Sequence, residues 1–183
     1  MGFKKRFNHF LRLDALDLSN RSEVAHLLSW ANSQVLQPYY IPRARAGHRV
    51  FAEPEFVGHI KNRLEEGREI YMIRRSEQIV GSLSIASSPA ECTWKHEPTG
   101  WLGLLIGQKE HRHQGVGGAA IRFAEKRATR LGLTCIEVGV FEFNENAIRF
   151  FLKQGFKKIG IVEKATYWQS KFWPSIHFVK RLS

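Results

Sequence analysis

The sequence has few cysteines and no long apolar run, and these two features exclude several classes of protein. Only Cys92 and Cys135 occur among the 183 residues, which is too few for a disulfide-stabilised fold. The longest apolar stretch, residues 101–106, is far shorter than the roughly 20 residues that cross a bilayer. Internal repeats and low-complexity segments are also lacking. We therefore expect a single soluble, cytoplasmic domain over residues 1–183.

Positive charge is in excess, since 28 Lys and Arg residues face 17 Asp and Glu residues and give a formal net charge of +11. Such a surplus attracts anions but does not distinguish nucleic acid, an anionic membrane, a phosphorylated cofactor or an acidic substrate. The basic residues are spread along the chain, without a zinc-finger or RNP motif. We expect neither a nucleic-acid partner nor a membrane partner.

The pattern of apolar and capping residues predicts a mixture of strands and helices. Strands are predicted over residues 10–18, 69–75, 78–86, 101–106, 135–141 and 156–162, with a further strand or irregular segment over 167–180. Helices are predicted over residues 20–35, 54–66, 115–130 and 144–154. The order β-α-α-β-β-β-α-β-α-β-β lacks strict alternation and indicates an α+β fold rather than a doubly wound one.

The most informative segment is residues 103–126, where an apolar strand leads into a basic loop. Gly115, Gly117 and Gly118 then open an amphipathic helix. Glycine lets the main chain approach a ligand closely, and the N–H groups of a helix's first turn favour an anion, most naturally phosphate. Alternatively, these glycines serve only to form a turn and bind nothing. Their spacing fits neither a Walker A loop nor a dinucleotide fingerprint. His111 and His113 lack a third ligand at suitable spacing, so no metal site is predicted.

Two motifs give this segment a more specific meaning. RHQGVG at residues 112–117 matches the Q/R-x-x-G-x-G/A motif of the GCN5-related N-acetyltransferase (GNAT) superfamily. NENAIRFFLKQGF at residues 144–156 is similar to that superfamily's N-x-x-A-I/L-x-x-Y/F-x-x-x-G-F segment. The order of elements also resembles it, which implies a mixed, mostly antiparallel central sheet flanked by helices. The resemblance covers about residues 10–180 and is strongest over 101–160.

The resemblance implies an acetyl-CoA-dependent N-acetyltransferase that uses acetyl-CoA as co-substrate and no metal. The acceptor it implies is a primary amine, either of an amino sugar, nucleotide-linked sugars included, or at a protein N-terminus. Main-chain N–H groups of the turn would hold the pyrophosphate, and the strand before it would pair with the pantetheine arm. The residues implied for cofactor binding are Leu104, Leu105, Ile106, Arg112, His113, Gln114, Gly115, Val116, Gly117, Gly118, Asn144, Ala147 and Phe151.

The catalytic groups are less defined. An alkylamine is mostly protonated at pH 7, so the reaction needs a base. Members of the superfamily often carry a Glu on the strand before the turn, but residues 101–106 contain no acid. Glu137 on the next strand is our candidate base, and an ordinary solvent-facing Glu is the alternative. Phe151 stands where many relatives have a Tyr that protonates the leaving thiolate, so we expect Phe151 to form a wall of the channel. Tyr167 or water would then supply that proton.

Variable segments at residues 35–53, 87–100 and 163–174 are expected to select the acceptor. Their aromatic residues suit a sugar ring or a peptide end, or equally a hydrophobic seam or the contact of a homodimer. Arg43, Arg45 and Arg49 suit the phosphates of a nucleotide sugar. A second class stays open, namely a non-catalytic acyl-CoA-binding or nucleic-acid-associated module on the same fold, because the usual strand Glu is missing and the chain is basic.

Overall fold

The computed structural model describes residues 11–42 and 47–182, and it has the predicted order of elements with two additions. They are a single-turn helix, α2 (Gln37–Tyr40), and a 3₁₀ turn (Lys109–His111) in the loop before the fourth helix. The strands are β1 (Leu11–Ala15), β2 (Glu69–Arg75), β3 (Gln78–Ser87), β4 (Thr99–Ile106), β5 (Cys135–Phe141), β6 (Lys157–Trp168) and β7 (Lys171–Arg181). The helices are α1 (Arg21–Ala31), α2 (Gln37–Tyr40), α3 (Glu53–Glu65), α4 (Val116–Arg130) and α5 (Glu145–Lys153).

The strands form one seven-stranded sheet in the order β1-β2-β3-β4-β5-β7-β6. Among the described residues, β4 and β5 are the only neighbouring strands that run parallel. A parallel pair needs a crossover connection, which α4 provides. The mixed, mostly antiparallel sheet implied by the resemblance is therefore confirmed, and with it the α+β class.

The two central strands separate part-way along their length. They pair only over Thr99–Trp101 of β4 and Cys135–Glu137 of β5. Beyond these residues β4 stays paired with β3 up to Ile106, and β5 stays paired with β7 up to Phe141. A wedge-shaped gap, called the wedge below, therefore opens in the middle of the sheet.

Helices cover both faces of the sheet. On one face the small and apolar residues of α4, among them Ala120, Ala124 and Ala128, pack with Leu102, Ile136 and other strand residues in the main core. On the other face α1 and α3 pack through two smaller clusters that include Trp30, Phe56 and Met72. Each fully buried apolar side chain contributes about 1.5–3 kcal/mol. No helix among the described residues is both long and apolar enough to cross a membrane.

Helix α1 begins as predicted but ends earlier. The Asn20 side chain accepts hydrogen bonds from the N–H groups of Ser22 and Glu23, as expected for a helix cap. The helix stops at Ala31, because the Asn32 side chain instead exchanges two hydrogen bonds of 2.8 and 2.9 Å with the main chain of Phe51. The predicted helical face up to Val35 is wrong, since that side chain is 72% exposed.

The C-terminal strands form a longer hairpin than predicted. Residues 157–168 and 171–181 pair through a turn at Gln169 and Ser170, both of which have positive φ. Because β5 ends at Phe141, opposite Ser175, the tip of the hairpin extends past the central strands.

Candidate active site

The wedge exposes main-chain groups of β4 that no strand pairs with. Leu104, Leu105 and Ile106 are half-buried, and their main-chain groups that point toward β5 lie outside the β4–β5 ladder. The side chains of Leu104 and Ile106 pack on the α4 side of the sheet, whereas Leu105 packs near Trp30 on the other side. This segment can therefore offer main-chain hydrogen bonds to an extended ligand with amide groups.

The turn after β4 leads directly to the start of α4. Gly115 has φ +83°, which glycine adopts without strain, and no side chain of the described residues caps the helix. The N–H groups of Val116, Gly117 and Gly118 lie in the first helical turn, where they have no partner within the helix. Together with the positive end of the helix dipole they form a site for an anion.

Two glycines at the start of α4 differ in what surrounds them. A Cβ at Gly117 would lie 3.0 Å from the ring of Phe150, so this glycine lets α4 approach α5 closely. A Cβ at Gly118 would meet only the side chains of Gln154 and Arg122, at 3.5 Å or more. Gly118 can therefore be replaced by a residue with a small side chain, whereas Gly117 cannot.

Polar side chains hold the turn in place. Arg112 Nε donates to the carbonyl oxygen of Ile106 at 3.0 Å and ties the turn back to β4. Gln114 accepts a hydrogen bond from Arg75, which also lies 3.3 Å from His111 Nδ1. Sequence reasoning missed Arg75, because only the pairing of β2 with β3 brings it to this loop. His113 adopts φ 58°, a left-handed conformation within the turn.

The start of α5 lies on the other side of the turn. The Asn144 side chain accepts from the N–H of Ala147 at 3.3 Å and caps the helix. Phe151 is 5% exposed and packs edge-on against Phe150 and Phe156 in the main core. The ring that contacts Gly117 belongs to Phe150, which the sequence analysis did not assign to the site. The channel-wall role of Phe151 stays a prediction.

Glu137 is fully buried rather than solvent-facing. Its carboxylate accepts hydrogen bonds from Thr93 N at 2.9 Å, Thr93 Oγ1 at 2.7 Å, Trp94 N at 2.8 Å and His177 Nδ1 at 2.7 Å. Burial by itself raises the pKa of this group, but the hydrogen bonds from His177, Trp94 and Thr93 outweigh it and lower the pKa to about 2. A carboxylate so occupied and so weakly basic does not suit direct proton abstraction. Its geometry fits an anchor for residues 93–94 and for His177.

His177 escaped the sequence analysis because its partner is 40 residues away along the chain. It lies on β7 opposite Gly139 of β5, and its ring is inclined to that of Trp101 with centroids 5.4 Å apart. A Cβ at Gly139 would lie 3.3 Å from His177 Nε2. The imidazole therefore lies over β5, just past Trp101 and Glu137, the last residue pair before the wedge opens.

Tyr167 lies in the extended tip of the β6–β7 hairpin. It pairs with Phe172, and the two rings meet edge-on at 5.2 Å. Since side chains alternate along β7, Phe172 and Tyr167 face the side of the sheet opposite to that of His177. The structure does not bring the two candidate catalytic residues Glu137 and Tyr167 together.

The fold and the geometry of the turn agree with comparisons to known proteins. The sequence profile of the acetyltransferase (GNAT) family matches residues 26–156, more than two thirds of the chain. The chain belongs to the GNAT acetyltransferase family. A search of curated protein sequences finds no match.

Solved structures with the same fold share little sequence with this GNAT chain. Spermidine N-acetyltransferase from Vibrio cholerae, solved with CoA and spermine, has a TM-score of 0.75 at 16% identity, over 93% of this chain and 95% of that one. An N-acetyltransferase from Staphylococcus aureus Mu50 has a TM-score of 0.73 at 13% identity, over 95% and 99%. Ribosomal-protein-alanine N-acetyltransferase from Brucella melitensis has a TM-score of 0.72 at 16% identity, over 93% and 99%.

Aromatic rings gather beyond the end of β5 in this GNAT domain. Phe143, which follows β5, lies at the centre of an aromatic cluster whose other rings have centroids 5.3–6.5 Å away. They belong to Tyr39, Phe141, Trp168 and Trp173. Arg49 pairs with Glu55 and stacks on Phe51, so its charge is engaged. Arg43 and Arg45 lie outside the described residues.

The anion site at α4 predicts the behaviour of two Gly118 variants of the GNAT domain. Gly118→Asp fits sterically, and an acid in the first turn suits the helix dipole, so the variant should fold. Its negative charge would repel the pyrophosphate, with partial relief from the nearby Arg122. We expect its Kd for acetyl-CoA, measured by calorimetry, to rise about tenfold, or 1.4 kcal/mol. Gly118→Asn, of matched size and neutral, should bind within about threefold of wild type; equal affinity of the two variants would contradict the site.

The buried Glu137 predicts how stability depends on pH. Its lowered pKa means that the unfolded state binds more protons than the native state between pH 4.5 and about 2. The stabilisation is therefore complete above about pH 5 and is lost as the pH falls toward 2. At 1.36 kcal/mol per pKa unit it amounts to about 3 kcal/mol.

Urea unfolding of wild type and Glu137→Gln from pH 7 to pH 3 measures this contribution. We expect the variant to be less stable at pH 7 and the difference to shrink toward pH 3. The matched control is Glu145→Gln, because Glu145 forms an exposed pair with Arg149, which is worth at most about 1 kcal/mol. A difference between wild type and Glu137→Gln that stays constant across this range would show that ionisation of Glu137 does not stabilise the fold.

Proposed function

We propose that this protein is an acetyl-CoA-dependent N-acetyltransferase that transfers the acetyl group to a primary amine. The observation that carries the proposal is the joint placement of two features. The wedge between β4 and β5 offers main-chain groups that lie outside the β4–β5 ladder, and it opens toward the uncapped, glycine-rich start of α4. A thioester on a long amide-containing arm that ends in a pyrophosphate matches this arrangement along its whole length.

Different segments of the chain bind different parts of acetyl-CoA in this proposal. N–H groups of residues 114–118 hold the pyrophosphate, and Arg112 fixes the turn that presents them. Main-chain groups of β4 from Leu104 to Ile106 pair with the pantetheine arm, and an N–H group there polarises the thioester carbonyl. Asn144 lies beside the arm at the start of α5. The absence of a side chain at Gly115 keeps the approach to these N–H groups open.

The acceptor that we propose is the amine of an amino sugar, including nucleotide-linked ones, or of a protein N-terminus. The aromatic cluster centred on Phe143 supports this choice, because flat rings pack against sugar rings and against peptide ends. It joins α2, the end of β5 and the tip of the β6–β7 hairpin. These three elements border the side of the wedge from which an amine would enter.

Release of the free CoA thiol from acetyl-CoA tests the proposal. The amines are glucosamine, UDP-linked glucosamine, a peptide that starts with Ala, and spermidine, which is included because one solved neighbour is a spermidine N-acetyltransferase. We expect turnover with a sugar or peptide amine and none with an N-blocked version of the same compound. Acetyl-CoA binding without turnover on any amine would contradict the proposal and favour a non-catalytic acyl-CoA-binding module.

Tyr167 is our proposed donor of a proton to the departing thiolate. Its ring packs edge-on against Phe172, and Tyr167→Phe keeps that contact while removing only the hydroxyl group. We expect kcat to fall about tenfold or more, in the range of acid catalysis, with unchanged Kd for acetyl-CoA. Phe172→Leu disturbs the same ring contact without touching the hydroxyl and should change kcat less. Equal kcat values for wild type and Tyr167→Phe would exclude the role and leave water as the donor.

A further inference from the structure

His177 lies outside the residues that the sequence or the motifs assign to catalysis, and its hydrogen-bond partner is Glu137, the base expected from the sequence. We propose that His177 is the general base of the reaction, with its Nε2 atom taking the proton from the acceptor amine, and that Glu137 is the residue that positions it. This inference rests on the proposed function and supplies the base that strand β4 lacks.

The position of His177 relative to the wedge is the first argument. Trp101 and Glu137 form the last pair between β4 and β5, and Gly139 is the next residue of β5 that faces the same side. His177 pairs with Gly139, and its Nε2 lies above it. The imidazole therefore lies where the two strands begin to separate, beside the end of the gap that would hold the thioester.

The hydrogen bond to Glu137 is the second argument. The carboxylate accepts from His177 Nδ1 at 2.7 Å and also from the main chain of Thr93 and Trp94, so it stays ionised and acts only as an acceptor. Nδ1 must then carry the proton, which leaves the lone pair on Nε2. Within the described part of the chain no hydrogen-bond donor or acceptor is engaged with Nε2.

The surroundings of Nε2 are the third argument. A Cβ at Gly139 would come within 2.8 Å of Trp101, 2.9 Å of Ser175 Oγ and 3.3 Å of His177 Nε2. Glycine at this position therefore lets an indole, a hydroxyl and an imidazole nitrogen pack closely over β5, and any side chain there would displace them. Glu137 is the ionisable group in contact with the imidazole, and Thr93, Trp101 and Ser175 are its neutral neighbours.

The proposed reaction moves the acetyl group from the sulfur of CoA to the nitrogen of the amine. The amine nitrogen forms a bond to the thioester carbonyl carbon, and the C–S bond breaks with its electron pair going to sulfur. The proton lost by the amine moves to His177 Nε2 while Nδ1–H remains bonded to Glu137. Neutral His177 is restored when that proton passes to solvent or to the thiolate, so the net products are an amide and CoA thiol.

His177→Asn is the sharpest test, because its amide N–H can still donate to Glu137 while the basic nitrogen is gone. With the best acceptor amine found for wild type, we expect kcat to fall about a hundredfold or more, the range of general-base catalysis. The Kd for acetyl-CoA should stay within about twofold. His177→Ala should recover part of its kcat when imidazole is added. The matched control is His59→Asn, an exposed position on α3, which should not change kcat.

A second readout does not depend on turnover. ¹⁵N NMR of the imidazoles, with the His177 signal identified from its loss in His177→Asn, should show a proton on Nδ1 and none on Nε2 near pH 8, and the signal should shift when acetyl-CoA binds. The opposite tautomer, or a signal insensitive to acetyl-CoA, would overturn the inference. If the wild type is active and the kcat of His177→Asn stays within threefold of it, the inference about His177 is overturned and the proposed function stands. A wild type that binds acetyl-CoA but acetylates no amine would overturn both this inference and the proposed function.

Discussion

The site depends on the separation of β4 from β5 after only three residue pairs. Each strand keeps its other neighbour, β3 for β4 and β7 for β5, so the sheet stays continuous on both sides of the gap. Main-chain groups that face the gap lose their ladder partners, and leaving such a group buried and unpaired costs about 1–3 kcal/mol. Arg112 binds the carbonyl oxygen of Ile106, and water or a ligand with amide groups must satisfy the others. A structure that opens its own sheet in this way is suited to bind an extended amide-containing arm in the gap.

The position of the anion site follows from how α4 packs on the sheet. Ala120, Ala124 and Ala128 are fully buried, and their small side chains let the helix lie close to β4 and its neighbours. Gly117 allows the same close approach to Phe150 of α5. The first turn of α4 is thereby held between the strand that leads into it and the next helix. Its N–H groups are fixed in direction before any anion arrives, which lowers the entropy lost on binding.

The features that the sequence predicted are those set by local interactions. Helix caps at Asn20 and Asn144, helix ends near Gly132 and Gly155, and the turn at Gly115 depend on neighbours within a few residues. The early end of α1 could not be predicted, because the Asn32 side chain binds the main chain of Phe51, 19 residues away. His177 was missed for the same reason. In a strand of alternating polar and apolar residues, the sequence does not distinguish a functional histidine from an ordinary one. Only the register of β7 against β5 places His177 next to Glu137.

Burial of an ionised carboxylate beside an imidazole at the base of the wedge is itself informative. Apolar residues of similar size at these positions would make the fold at least as stable, because ions taken out of water lose their hydration. Apolar residues cannot, however, bind the N–H groups of residues 93–94 or fix which nitrogen of an imidazole carries the proton. Glu137 does both, through Thr93 and Trp94 on one side and His177 on the other. The carboxylate thus connects the loop before β4 to His177 on β7, and in the proposed mechanism it sets the direction and tautomer of that one side chain.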